Sequence, residues 1–228
     1  MTARTQKGTN GWHCTAPDAA GNVTDFTLAG VAHALSWNLR GQLVSVSTNG
    51  AFAESYTYDP LGRRVSTTSL STVNHEPSTI YHVYEGDQCV ADLDASGQPL
   101  RVYTWGPGTD TLHALTVYPP GAGATNVYYA ACDAQGSVGF LTSAGGLTFE
   151  CYEYDAWGCT QVQNSLYNMP KAASSYGLRF LFHGGAYSAA TGLYQFRARW
   201  YAPELGRWLS PDPVGLEGGL NLYEFCGN

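Results

Sequence analysis

The reactive side chains of this chain are concentrated at its end, in "LYQFRARWYAPELGRWLSPDPVGLEGGLNLYEFCGN", where 36 residues carry three arginines, an Asp-Pro step and a glycine cluster. Each obvious chemistry has a test. Gly215, Gly218 and Gly219 resemble a phosphate-cradling loop, but no strand-to-helix context with a lysine follows them. His183, ahead of two glycines, reads as a loop or core histidine and not a base. The six cysteines, at 14, 89, 132, 151, 159 and 226, form no CxxC pair and are too dispersed for zinc spacing, so they read as buried reduced thiols. The six histidines form no HxxxH or HExxH pattern. Neither a metal nor a cofactor is expected.

Composition narrows the classes further. The formal charge is -7 and the basic residues are scattered singly, which argues against a nucleic-acid partner. The opening "MTARTQKGTNGWHC" has no apolar run after its basic residues, and no later stretch approaches 18 consecutive apolar residues. Neither a signal peptide nor a membrane span is expected. Only 13% of residues are charged while tyrosine, tryptophan and glycine are abundant, a mix that favours strands and turns.

The elements that position these residues come from a repeat. An Asp or Asn followed three positions later by Gly recurs as "DAAG" 18–21, "NLRG" 38–41, "DPLG" 59–62, "DASG" 94–97, "DAQG" 133–136 and "DAWG" 155–158. The Asp or Asn side chain can bond the backbone two residues on, and Gly tolerates positive φ at the fourth place, so each tetrad predicts a hairpin corner. Flanking alternation predicts strands, with Leu147, Phe149 and Cys151 on one face and Thr148, Glu150 and Tyr152 on the other. Arg63 falls just past a solvent-facing tetrad. The first three tetrads start 20 and 21 residues apart, and such short units bury an apolar face only by stacking into a continuous sheet. The expected fold is all-β: hairpins stacked into a curled, shell-like sheet. Spacing widens in the middle, where the turn formers of 106–126 predict an inserted loop or a longer hairpin.

The unit "YTYDPLGRRVS" resembles a YD repeat, and "TGLYQFRARWYAPELGRWLSPDPVGLEGGLNLYEFCGN" resembles the Rhs repeat-associated core of Rhs polymorphic toxins and of the C components of insecticidal toxin complexes. On this resemblance, residues 1–132 form the YD-repeat region and 133–228 the core, with the family's second DPxG motif falling past Asn228. The resemblance implies a hollow shell that sequesters a C-terminal toxin and a core that cuts the chain after itself. The partners it implies are that cargo or the remaining shell, in a secreted or cell-surface system using specialised export.

Two catalytic residues carry over from the family's pattern, Arg199 and Asp212. The turn at "APELG" allows "RWLSPDP" to run back beside Arg199, where a guanidinium can clamp Asp212 and keep it ionised. Carboxyl-driven peptide cleavage needs two acids sharing a proton, and Glu217 and Glu224 do not occupy the family's second acidic position. The expected function is therefore a shell module of a toxin carrier that does not cut itself in this form. Two alternatives are an aspartyl-type autoprotease and a glycan or cell-surface binding module. Leu220, Leu222 and Phe225 are expected to plug the shell. At about 4.8 Å of width per strand, a chain of 228 residues is too short to enclose a folded toxin alone.

Overall fold

The structure, a computed structural model, describes residues 13–14, 17–28, 30–70, 76–119, 123–165 and 169–226. Fifteen strands pair antiparallel in sequence order into one sheet: β1 (His13–Cys14), β2 (Asp25–Leu28), β3 (Val31–Trp37), β4 (Leu43–Thr48), β5 (Ala51–Tyr58), β6 (Arg64–Leu70), β7 (Pro77–Glu85), β8 (Gln88–Leu93), β9 (Pro99–Trp105), β10 (Leu112–Val117), β11 (Asn126–Cys132), β12 (Val138–Thr142), β13 (Thr148–Tyr154), β14 (Thr160–Asn164) and β15 (Pro170–Lys171). A second antiparallel sheet holds β16 (Ala186–Ser188), β17 (Leu193–Phe196), β18 (Arg199–Ala202) and β19 (Arg207–Trp208). The described residues contain no α-helix, only short 3-10 turns.

All six tetrads are corners. At Asp18, Asn38, Asp59, Asp94, Asp133 and Asp155 the side-chain Oδ1 accepts the backbone N–H groups two and four residues on, at 2.8–3.1 Å. The glycine of each has φ between +71° and +89°, a region closed to most side chains. Ser143–Gly146 is a further corner of this kind, with Ser143 Oγ accepting the Leu147 N–H at 3.1 Å. Residues 106–126 contain a strand, β10, paired on one side with β9 and on the other with β11.

A second periodicity runs through that middle region without interruption. The last or next-to-last residue of every second strand donates to a backbone carbonyl at or near the start of the preceding strand. Trp37 Nε1 reaches Val23 O at 2.7 Å, Tyr58 Oη reaches Leu43 O at 2.7 Å, and Tyr84 Oη reaches Arg64 O at 3.0 Å. Trp105 Nε1 reaches Cys89 O at 2.8 Å, Cys132 Sγ reaches Leu112 O at 3.3 Å, and Tyr154 Oη reaches Val138 O at 2.6 Å. Each acceptor from Leu43 onward is also the cross-strand partner of the donor before it, as in Trp37 with Leu43 and Tyr58 with Arg64. One edge of the sheet is thus fastened by a continuous ladder of side-chain donors.

The long sheet curls around the small one, whose two faces are both buried. Tyr194, Tyr201 and Trp208 pack with Tyr103, Leu115, Leu141 and Tyr152 of the later strands, while Leu193, Trp200 and Leu209 pack with Phe26, Leu35, Leu43 and Tyr56 of the earlier ones. Alternation along β17 and β18 therefore separates two cores, not core from solvent.

Two expectations are corrected here. In β13 it is Glu150 and Tyr152, not Leu147 and Phe149, that are buried deepest beside Cys151, and Leu147 is exposed. Glu150 tolerates burial because its carboxylate accepts from Tyr152 Oη, Ser174 Oγ, the Ser175 N–H and Lys171 Nζ. In the tail, Phe225 is the plug, stacked on Tyr201 at 4.2 Å, whereas Leu220 is exposed and Leu222 half-buried.

Trp200 joins the two sheets, at 4.5 Å from the Tyr56 ring and with 2% of its surface exposed. Trp200→Ala should cost about 3–5 kcal/mol in urea unfolding. Leu61→Ala, at an exposed corner, should stay within about 0.5 kcal/mol.

Candidate functional site

Arg199 opens β18 and Asp212 lies four residues past β19, so the Pro203–Leu205 turn between the two strands brings them together. Arg199 Nη1 lies 2.9 Å from Asp212 Oδ2, and the guanidinium covers the Trp208 ring at 4.1 Å. Asp212 is itself a turn aspartate: its Oδ1 accepts the Val214 N–H at 2.9 Å, its carbonyl accepts the Gly215 N–H, and Gly215 has φ +65°. The Asp212 N–H donates to Leu222 O at 2.9 Å, which ties the turn to the tail. One carboxylate oxygen shapes the corner and the other receives the arginine.

The pair borders a cavity of about 220 Å³ that is also lined by Glu224, Asn221, Phe225 and Cys226. Partial burial pulls the Arg199 guanidinium below its ordinary value and Asp212 pulls it back. Glu217 is exposed on the Gly215–Gly218 turn and does not line the cavity. Gly218 packs against the Asp212 carboxylate, where an added Cβ would lie 3.3 Å from Oδ2. The arrangement holds the Asp212 carboxylate in a fixed orientation beside a small cavity, one of the two acids that a carboxyl-pair hydrolysis requires.

Arg63, just past the solvent-facing corner, pairs with Asp59 at 2.7 Å and donates to Gly86 O at 2.7 Å. The tetrad aspartate recruits it: Oδ1 holds the turn and Oδ2 takes the arginine, as at Asp212.

A second cluster was not legible in the sequence. Asp92, fully buried on β8, accepts from Tyr103 Oη at 2.5 Å, Arg101 Nη1 at 3.3 Å and Arg179 at 3.0 and 3.2 Å, and it faces His82 Nδ1 at 2.7 Å. Since the Asp92 carboxylate only accepts, Nδ1 of His82 carries the proton and donates to it, the Arg179 Nη2 at 3.2 Å from that nitrogen being a close approach of two donors, and Nε2 accepts from Thr67 Oγ1 at 2.9 Å. Burial, with Arg179 second, pushes His82 down to about 3. Burial alone would raise Asp92, but Arg179 and His82 hold it well below the ordinary carboxylate range. His82, Cys89 and Asp92 have ligand-type atoms within 4.8 Å of one another, yet Arg179 Nη2 sits 3.0–3.2 Å from all three. The cation of this cluster is a guanidinium, and burial pushes the Cys89 thiol up, away from the thiolate a metal needs. Sequence separations of 87 to 97 residues hid the cluster from any local pattern.

A serial antiparallel sheet curled around an inner sheet, with an arginine-clamped aspartate at the closing turn, defines a YD-repeat shell. The chain belongs to the teneurin YD-shell family, whose model matches residues 18–225. It is 29% identical over 205 residues to double-stranded DNA deaminase toxin A of Burkholderia cenocepacia, covering 82% of this chain and 14% of that protein. It is 30% identical over 195 residues to the tRNA3(Ser)-specific nuclease WapA of Bacillus spizizenii, covering 82% of this chain and 7% of that one. The crystal structure of TcdB2-TccC3 shares the fold, with a TM-score of 0.67 at 23% identity over 92% of this chain and 10% of that one. The chain thus spans a small part of the relatives it matches. No described helix is long and apolar enough to cross a membrane.

Breaking the Asp92 cluster leaves Arg179 buried and uncompensated, so Asp92→Asn should cost about 3–5 kcal/mol. Arg199→Ala removes a partly exposed pair and one ring contact, and should cost about 1–2 kcal/mol. Urea unfolding of both variants checks the order. Acidification gives a second test. The folded His82 value lies below its unfolded one, so the unfolded chain binds the extra proton and stability falls as pH drops from about 6.5 toward 3. Between pH 6.5 and 4.5 this histidine should contribute a loss of about 2–3 kcal/mol, and His82→Gln should flatten that part of the profile.

Proposed function

We propose that this chain is a shell module of an Rhs-type toxin carrier, housing or presenting a toxin segment that follows it. The observation that carries this reading is the diversity of the relatives. A DNA deaminase toxin and a tRNA nuclease each match 82% of this chain while the match takes up only 14% and 7% of their own lengths. A segment common to proteins of such different activities supplies what they have in common, not the reaction that separates them. The curled sheet with its buried inner layer suits that part. Residues 1–132 then act as the repeat wall and 133–228 as the closing core.

Within this reading, Arg199 and Asp212 form the resident half of a self-cleaving centre, and the second carboxyl comes from a DPxG motif downstream. The Arg199 clamp fixes the orientation of the Asp212 carboxylate, which takes a proton from the attacking water while the second acid donates to the leaving amine. Cleavage would release the cargo from the shell, in keeping with a secreted, multi-part toxin. The glycan-binding alternative draws on outward aromatics such as Tyr81 on β7 and Tyr129 on β11, and glycan-array binding tests it.

The chain as it stands should keep its full mass for days at neutral pH. Fused at Asn228 to a segment carrying the family's second DPxG motif, it should be cut after that motif, as read by mass spectrometry. Asp212→Asn should abolish the cut and leave the circular dichroism of the sheet unchanged. A fused chain that folds but stays whole would count against the protease centre and leave Asp212 as a structural partner of Arg199.

A further inference from the structure

At one place the edge ladder breaks its own pattern. The residues at or near strand starts that accept the ladder bonds are Val23, Leu43, Cys89, Leu112 and Val138, all buried and apolar or weakly polar, and Arg64, which is 97% buried. Arg64 stands where the other repeats place core side chains.

No acidic partner faces its charge among the described residues, and its buried Nε finds no hydrogen-bond acceptor there. Instead the guanidinium lies between two rings, 5.4 Å from Tyr56 and 5.2 Å from Trp200. Glu54, on the same strand as Tyr56, is occupied by the Tyr56 hydroxyl at 2.7 Å. Ring stacking offsets only part of the cost of burying an unpaired cation.

Arg64 lines a cavity of about 930 Å³ between the ladder edge and the small sheet. Its neighbours there include Tyr58, Tyr84, Trp105 and Trp200. Four other arginines on the wall each have an acid: Arg63 with Asp59, Arg179 with Asp92, Arg197 with Asp110 and Arg199 with Asp212. Arg40 and Asp87 are both exposed at the wall. One buried positive charge is left over, in an aromatic setting. A monoanion with a planar fork complements it, since a guanidinium receives a carboxylate bidentately and the rings accept an apolar body. We infer that this cavity is a binding site for a carboxylate carried on an apolar or aromatic body, with Arg64 as the residue that receives the anion. The site goes beyond the shell role and does not depend on cleavage.

Benzoate, its neutral isostere benzamide, inorganic phosphate and N-acetyl-Phe-Asp-amide are the probes, followed by calorimetry and by the Arg64 Nε–H resonance. Benzoate should saturate at one site per chain and shift that resonance, with benzamide and phosphate binding at least about tenfold more weakly, the effect of losing one charge-assisted contact. A dipeptide amide that binds more tightly than benzoate identifies a polypeptide source for the carboxylate, and weaker binding a free small acid. Arg64→Met restores the apolar pattern of the other repeats, so it should melt at or above the wild-type temperature and lose benzoate at least about tenfold. Equal binding of benzoate and benzamide, no response of the Arg64 resonance to either carboxylate, or a folded Arg64→Met chain that keeps benzoate would overturn the site. Should Arg64→Met fail to fold, the resonance in the unaltered chain decides.

Discussion

The structure depends on a constraint at one edge of its sheet. Strand-opening carbonyls there would be left beside the inner sheet and away from water, and an unpaired buried carbonyl is costly. The donor at the far end of the next strand answers it, from Trp37 through Tyr58, Tyr84, Trp105 and Cys132 to Tyr154. Because the same acceptor residue is paired across the sheet with the preceding donor, neighbouring hairpins are held in mutual register, not only within themselves. Aromatic donors suit the role: a tyrosine or tryptophan spans from strand end to strand start and buries a ring on the way.

Both candidate sites grow from that edge. The inner sheet sits beside it, so Trp200 reaches Tyr56 and donates to Tyr58 Oη at 3.1 Å, and Tyr201 Oη reaches Trp157 O at 2.8 Å in a corner tetrad. Asp212 lies within reach of the tetrad at Asp18, where Tyr223 Oη donates to Gly21 O at 2.6 Å and an added Cβ on Gly21 would meet Pro211 at 2.7 Å. Deeper in, Arg179 carries the link between the sheets onto Asp92, whose other partners come from β7 and β9. The fold converts corners into anchorage for the small sheet, and the arginine-clamped aspartate is built on the same corner chemistry.

The sequence made the corners legible because an Asx side chain and a positive-φ glycine are chemical requirements of the turn, not preferences. The family resemblance singled out Arg199 and Asp212, and the marked reversal between them, 13 positions apart, made their pairing legible. The serine tetrad at 143 escaped because a hydroxyl replaces the carboxylate, and the ladder escaped because tyrosine, tryptophan and cysteine are interchangeable donors. Burial of the second face of β13 escaped because alternation assigns Glu150 to solvent, whereas lysine and serine partners more than 20 residues away satisfy it inside. The Asp92 cluster and the unpaired Arg64 are facts of three-dimensional neighbourhood, which no spacing rule encodes.

The ladder also carries a counting rule. Each two-strand unit supplies one acceptor and one donor on the same edge, so a whole unit added or lost leaves every remaining bond with a partner. A single strand added or lost would carry all later donors, together with their acceptors, to the opposite edge, away from the inner sheet. Walls of this kind are therefore free to differ in length by even numbers of strands, much as a chain lengthens by links, while the closing sheet meets the same surface each time.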